Sequence, residues 1–426
     1  MKRFLLLSIF FVTGFVQAQL TNITITHGVD NPTRIAIVPF NYVGPALSED
    51  IPEIIRNDLN FSGQFESIPV DKMISYPKNE AEIHYRDWKM INAEFLLIGD
   101  ITQQAGRYFA NFELFDVVQQ KRVLSRSVPL EGAETQLRDI AHRISDKTYE
   151  TITGIRGIFS TKIIYVEAFQ KPARWRLMLS DVDGARSRSL LDSKRIILSP
   201  VWSPDGTRVA YVSYEADDRP ALFVQNISTG QRQQVTNFRG LNGAPAWSPD
   251  SRNLAMVLSK DGNPEIYTLN LASMAFSRVT NHFAIDTEPS WTTDGMGIFF
   301  TSNRGVKPQI YKVTLASGQT ERVTFDGEYN ARGRVSPDGK SLVMVHQRDG
   351  GYLIAALDIK SGNLRILTET SYDESPTIAP NGAMLMYATS FGNKGILAAV
   401  SLDARTKVRL PSKQGDVREP AWSPFF

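Results

Sequence analysis

The chain predicts a small N-terminal α/β domain followed by an all-β six-bladed β-propeller closed by the C-terminal strand. Three observations predict it. A motif recurs six times: Pro200-Val-Trp-Ser-Pro-Asp-Gly206, Pro245-Ala-Trp-Ser-Pro-Asp250, Pro289-Ser-Trp-Thr-Thr-Asp-Gly295, Gly333-Arg-Val-Ser-Pro-Asp-Gly339, Pro376-Thr-Ile-Ala-Pro-Asn-Gly382 and Pro420-Ala-Trp-Ser-Pro424. Counted at the second Pro or its equivalent, the copies fall at 204, 249, 293, 337, 380 and 424, in steps of 45, 44, 44, 43 and 44. A period of about 40–45 residues with several short strands per unit is the signature of propeller blades. Second, Lys162-Ile-Ile-Tyr-Val166 matches the strand after each motif, as in Arg208-Val-Ala-Tyr-Val212, but no motif precedes it. The missing strand is Pro420 to Phe426, so the C-terminus pairs into the first blade and leaves no open sheet edge around the ring. Third, the residues before about 155 carry no repeat and mix helical with strand patterns.

In that first part, Ile35-Ala-Ile-Val-Pro-Phe40 and Glu94-Phe-Leu-Leu-Ile-Gly99 read as buried strands. Ser48 is placed to cap a helix running through Leu59, with Glu49, Asp50 and Glu53 at its positive end. Tyr108 to Phe115 alternates apolar and polar residues, and Lys121 to Arg126 returns as the second arm of a hairpin. Leu137, Ile140, Ala141, Ile144 and Ile152 recur at helical spacing, which predicts one long helix over 133–153. The expected domains are 19–155 and 156–426, with 19–31 as a mobile N-terminal segment.

Composition narrows the function. The 426 residues carry 47 basic and 45 acidic side chains, a net charge of +2, so the basic excess that nucleic acid demands is missing. Lys2-Arg3 followed by the apolar run Phe4–Val16 and by Val16-Gln17-Ala18 reads as a cleaved export signal over 1–18. Thirteen apolar residues are too few for the roughly 20 that a spanning helix needs. With no Cys, there is no lipid-bearing residue behind the signal and no disulfide. These features predict a soluble protein outside the cytoplasm, with no membrane span of its own.

Catalytic signatures are missing. The His residues at 27, 84, 142, 282 and 346 show no metal-ligand spacing, and neither a Gly-x-Ser-x-Gly elbow nor a P-loop occurs. Asp181-Val-Asp-Gly184 matches the start of a calcium loop but lacks the closing Glu, so it reads as a hairpin turn. No metal and no cofactor are expected. The four Trp at the motif position, Trp202, Trp247, Trp291 and Trp422, read as inter-blade packing, with a ligand-stacking ring as the alternative. A propeller hydrolase acting on cell-wall glycans or peptides is the competing class; its only candidate acids would be Glu288, Glu374 and Glu419.

The segments leading into each motif differ where the motifs agree, which is how a rigid ring carries a specific site. Glu288 and Glu419 directly precede the Pro and Glu374 comes one residue earlier, so three carboxylates gather at one channel mouth. They suit a partner presenting Lys or Arg, with Leu241, Ala244 and Tyr329 as apolar contacts; solvated loop charge is the plainer reading.

The export signal, the small α/β domain and the Trp-Ser-Pro-Asp-Gly ring together resemble the TolB family, the periplasmic component of the Tol–Pal system. The likeness spans the mature chain and is specific at Ile25-Thr-His-Gly-Val-Asp30, Ile37-Val-Pro-Phe40, Asn242-Gly-Ala-Pro245, Thr287-Glu-Pro289 and Pro420-Ala-Trp-Ser-Pro424. The resemblance implies a non-catalytic periplasmic adaptor that supports outer-membrane integrity and constriction during division. Its implied partners are the peptidoglycan-associated lipoprotein Pal at the propeller mouth and TolA at the N-terminal segment, with bacteriocins and outer-membrane proteins as further ones. Carried across, the Pal contacts fall on Asn242, Gly243, Ala244, Thr287 and Glu288, and the TolA contacts on Leu20, Ile23, Ile25 and His27. The family often has His two residues before that Gly; Leu241 stands there instead, which removes a polar contact.

Overall fold

The computed structural model describes residues 24–125, 128–410 and 415–426. Six antiparallel sheets form the ring, five of four strands and one, the sixth blade, carrying a fifth. Taking the strands from the channel outward, blade 1 runs Asp416–Trp422, Lys162–Gln170, Ala173–Asp181 and Arg188–Ser193. Blades 2 to 6 begin on Ile197–Trp202, Asn242–Trp247, Asp286–Trp291, Asn330–Val335 and Glu374–Ile378. The last strand of the chain does close the ring: Trp422 pairs with Ile163 and Arg418 with Val166.

Local chemistry explains the repeat. In the Ser-Pro-Asp-Gly turn of blade 2, Ser203 Oγ donates to Asp205 Oδ1 at 2.6 Å and accepts the Arg208 amide at 2.9 Å, while Gly206 takes φ 70°. The pairs Ser248–Asp250, Thr292–Asp294 and Ser336–Asp338 repeat the lock. A second latch lies farther out, where the amides of Leu222, Ile266, Ile310 and Ile354 donate to the hydroxyls of Thr236, Thr280, Thr324 and Thr368 at 2.9–3.0 Å. The motif Trp side chains join neighbouring blades. The indole N–H groups of Trp202, Trp247 and Trp291 reach the carbonyls of Ala421, Val201 and Ala246 in the preceding blade, and that of Trp422 reaches Thr161 Oγ1. Trp202, Trp247 and Trp422 are buried and Trp291 half-buried, so they serve packing rather than ligand stacking.

The N-terminal domain is a mixed sheet in the order Phe65–Ser67, Thr33–Ile37, Phe95–Gln104, Arg107–Asp116, Lys121–Ser125, whose first three strands are parallel. Helices α1 (Ile51–Phe61), α2 (Tyr85–Met90) and α3 (Leu137–Thr153) accompany it. The cap of α1 is Asp50, not Ser48: its carboxylate accepts the Glu53 amide at 3.0 Å. Pro52, which has no N–H to satisfy, sits in the first turn and favours a start two residues beyond the expected one. The long helix also begins later than 133, because a 3₁₀ turn over Glu134–Gln136 precedes Leu137; Gly154 ends it at φ 75°.

The domain packs against the ring on the face of the Ser-Pro-Asp-Gly turns. Gly63 lies against Thr406, Asn381 Nδ2 donates to the Arg156 carbonyl at 2.9 Å, and Arg156 stacks on Phe425. One apolar core runs from Ile55 and Ile140 through Ile163 and Met386 to Trp422, so blades 1 and 6 share it with the N-terminal domain. No helix among the described residues is long and apolar enough to cross a membrane.

Candidate functional site

The channel mouth is built by one device used six times. Each innermost strand breaks register beside the residue preceding the motif's first position, as between Gly243 and Ala246 or Thr287 and Ser290. There Ser199, Ala244, Glu288, Arg332, Ser375 and Glu419 adopt φ between 47° and 56°, a left-handed backbone that non-glycine residues rarely hold. A β-bulge re-aims a side chain, and all six of these residues line one channel cavity of about 150 Å³.

The bulge positions are chemically unequal. Arg332 lies between carboxylates: its Nε donates to Glu288 Oε1 at 2.6 Å, its amide to Glu288 Oε2 at 3.0 Å, and Nη1 to Ser375 Oγ. Glu419 Oε2 accepts the Ser199 amide from the neighbouring blade. Burial raises the Glu419 pKa, against the lowering effect of Arg332 and of that amide. Two of the three expected rim carboxylates are thus already engaged, and Glu374 is the exposed one.

Three residues before each bulge, five blades present a large apolar side chain to the mouth: Ile196, Leu241, Ile285, Tyr329 and Tyr372. Their exposures are 38%, 39% and 47% for the first three and 72% for Tyr372. The carbonyls of Ile196, Leu241, Ile285 and Tyr329 accept amides from the end of the second strand at 3.0–3.4 Å, which fixes this collar in place. Sequence reasoning named Leu241 and Tyr329 and missed the others, though counting back from the Pro of every motif would have revealed them.

The remaining expected contacts separate into two kinds. Gly243, Ala244 and Thr287 lie half-exposed on the innermost strands beside the collar. Asn242 does not: it is fully buried, and its amide group clasps its own loop through the Phe238 and Gly240 carbonyls at 2.8 and 3.1 Å. It shapes the loop and offers no surface to a partner. At the N-terminus, Leu20 and Ile23 lie outside the described residues. Thr24–His27 forms a fifth strand on blade 6, antiparallel to Lys407–Leu410, with Ile25 opposite Val408 and exposed His27 opposite Lys407. This part of the segment expected to be mobile is laid against its own propeller.

A second polar cluster sits at the domain junction. His142 Nδ1 and Ser145 Oγ on α3 meet Asp58 Oδ2 of α1 at 2.8 and 2.6 Å, and His142 Nε2 faces Asp181 Oδ2 of blade 1 at 3.7 Å. Arg138 contacts Asp181 and Asp183, while Lys162 and Arg186 bind Asp181. Burial alone would lower the His142 pKa, but the charge of the Asp58 carboxylate, the hydrogen bond to it and the Asp181 carboxylate facing Nε2 push it up to about 10. The imidazole is therefore charged at neutral pH. Although Ser, His and Asp are all present, the hydroxyl is bonded to the carboxylate rather than to the imidazole, and all three are buried. A nucleophile–base pair needs the opposite arrangement. Asp58, His142 and Asp183 also stand close enough to share a cation. A protonated imidazole and three neighbouring cationic side chains oppose one. The Asp181-Val-Asp-Gly184 turn forms as expected, with Gly184 at φ 82°, and its two carboxylates dock the N-terminal domain.

The family models for the TolB amino-terminal domain and the TolB beta propeller domain match residues 21–123 and 149–426. The chain belongs to the TolB family. It is 52% identical over 430 residues to the Tol-Pal system protein TolB of Pseudomonas aeruginosa, covering 100% of this chain and 99% of that one. The Pseudomonas putida TolB is likewise 52% identical over 430 residues. The crystal structure of TolB from Acinetobacter baumannii superposes with a TM-score of 0.89 at 41% identity, covering 96% of this chain and 100% of the other. TolB membership makes the chain a component of the Tol–Pal system.

Proposed function

We propose that the chain is a non-catalytic periplasmic adaptor that takes Pal at the channel mouth and offers its N-terminal segment to TolA, supporting outer-membrane integrity and constriction at division. The observation that carries this reading is the apolar collar around a charged channel. Collar side chains held by backbone hydrogen bonds supply a preorganised, partly dry surface, and the charged groups inside it supply orientation. Thr24–His27 fits the second role because a strand held only at a sheet edge can be exchanged for a partner's strand. Pal would govern that exchange only by binding the docked and released states unequally.

Calorimetric titration with the soluble Pal domain of the same organism tests the mouth. Saturable one-to-one binding that Ile285→Arg abolishes and Asp338→Asn, on the opposite face, leaves intact supports the reading. No heat with the native chain overturns it. A wall-degrading activity finds little support in the mouth, where Glu288 is held by Arg332 and Glu419 by an amide.

A further inference from the structure

Between blades 5 and 6 the mouth opens into a separate cavity of about 470 Å³, within the ~300–1,000 Å³ of typical small-ligand sites. Its walls include Tyr329, Tyr352 and Tyr372, with Ala331 and Val345 as the aliphatic part. Tyr329 and Tyr352 meet edge to face, ring centroids 5.3 Å apart at 75°. Backbone pairing holds the chain that carries the third ring: the Tyr352 amide donates to the Ser371 carbonyl and the Asp373 amide to the Tyr352 carbonyl, both at 3.0 Å, bracketing Tyr372.

The charges at the cavity differ in what they have left to offer. Arg332 lines it, but its guanidinium is bound to Glu288 and Ser375. Asp373 is fully buried, with Oδ1 taken by Thr370 at 2.5 Å and Oδ2 without a partner. Glu374 is exposed and forms no ion pair among the described residues. A wall of three phenol rings with one open carboxylate is suited to a cation bearing an apolar stem. Ring faces attract the charge, the carboxylate orients it, and the aliphatic wall takes the methylene groups.

We infer that this cavity is a cation pocket that receives a single Lys or Arg side chain from the docked protein, so that the Tyr329–Tyr352–Tyr372 cage with Glu374 sets which residue a partner must present. The inference rests on the mouth being the docking surface. Arg332 is attracted to Glu374 through space but spends its hydrogen bonds on Glu288 and Ser375, so a purely apolar side chain would fill the volume and leave the Glu374 carboxylate without a hydrogen-bonded cation.

The test uses the mature full-length chain with ¹³C-labelled tyrosine rings, titrated with n-butylammonium chloride or with butan-1-ol at constant ionic strength. The ammonium should shift the Tyr329, Tyr352 and Tyr372 signals saturably, with the alcohol at least about tenfold weaker, the difference that cation–π and carboxylate contacts together supply. Glu374→Gln and Tyr372→Leu, both at exposed positions, should each weaken ammonium binding by about three- to fivefold. Equal shifts from ammonium and alcohol would make the cavity merely apolar and overturn the inference. So would the lack of any saturable shift in a preparation that still binds the Pal domain, which would leave the docking reading standing. Loss of both titrations would remove the docking reading as well.

Discussion

The domain junction and the channel mouth are both dense in charge, yet they are built to opposite ends. At the junction Asp58, His142 and Asp181 are buried together across three segments of chain, with His142 bonded to Asp58 and facing Asp181. Truncating one member there strands the others without water. At the mouth, Glu374 faces solvent, apolar side chains stand exposed around it, and the backbone itself is held in a left-handed conformation. The first arrangement fixes an orientation; the second leaves surface unused until something covers it. Charge density alone thus does not mark a binding site. What marks it is charge beside apolar area that the fold has not consumed.

The sharpest way to break this contrast is at its buried end. His142→Ala should cost about 3–5 kcal/mol of unfolding free energy, because the fully buried Asp58 carboxylate loses its cationic partner, as measured by urea denaturation. Affinity for the Pal domain should stay within about twofold. Equal loss of both would mean that junction and mouth are one unit. A collar substitution should do the reverse: Leu241→Arg is expected to weaken Pal binding by about 2 kcal/mol or more, while stability stays within about 0.5 kcal/mol.

Next in size is pH. The folded His142 pKa of about 10 lies above its unbound 6.5, so the stability it contributes is complete below pH 6.5 and is lost as pH rises through about 10. Thermal unfolding between pH 7 and 10 should therefore show a falling melting temperature, and His142→Asn should flatten that slope. The smallest effect belongs to a blade staple. Trp291→Phe removes one indole bond to the Ala246 carbonyl and should cost about 1 kcal/mol with no change in Pal affinity.

Much of the ring was legible from residues alone, because a repeat aligns its own functions. Proline spacing placed the blades, the missing first motif identified the closing strand, and the Trp positions located the staples. The mouth was half legible. Glu288 and Glu419 line the channel, as their place before the motif Pro suggests, but no pattern announces that Arg332, a blade away, occupies Glu288 or that Asn242 turns inward to hold its loop. Those outcomes depend on the bulge, whose left-handed residue, followed by Pro in every blade but that of Arg332, contradicts ordinary local preference. The junction was illegible for a different reason. Asp58, His142 and Asp181 lie on elements that nothing local connects, and only tertiary packing brings them together.

The closing strand of the ring and the docked N-terminal strand lie in adjacent blades, 1 and 6, the first at the channel and the second at the outer edge. Tension applied at Thr24 would load the short strand Thr24–His27, which pairs with Lys407–Leu410 at the outer edge of blade 6. Ring closure is held separately, by the seven-residue strand Asp416–Trp422 at the channel with a shared apolar core behind it. The molecule is thus arranged like a clasp with a breakaway tab, where the tab peels off under load and the ring stays shut.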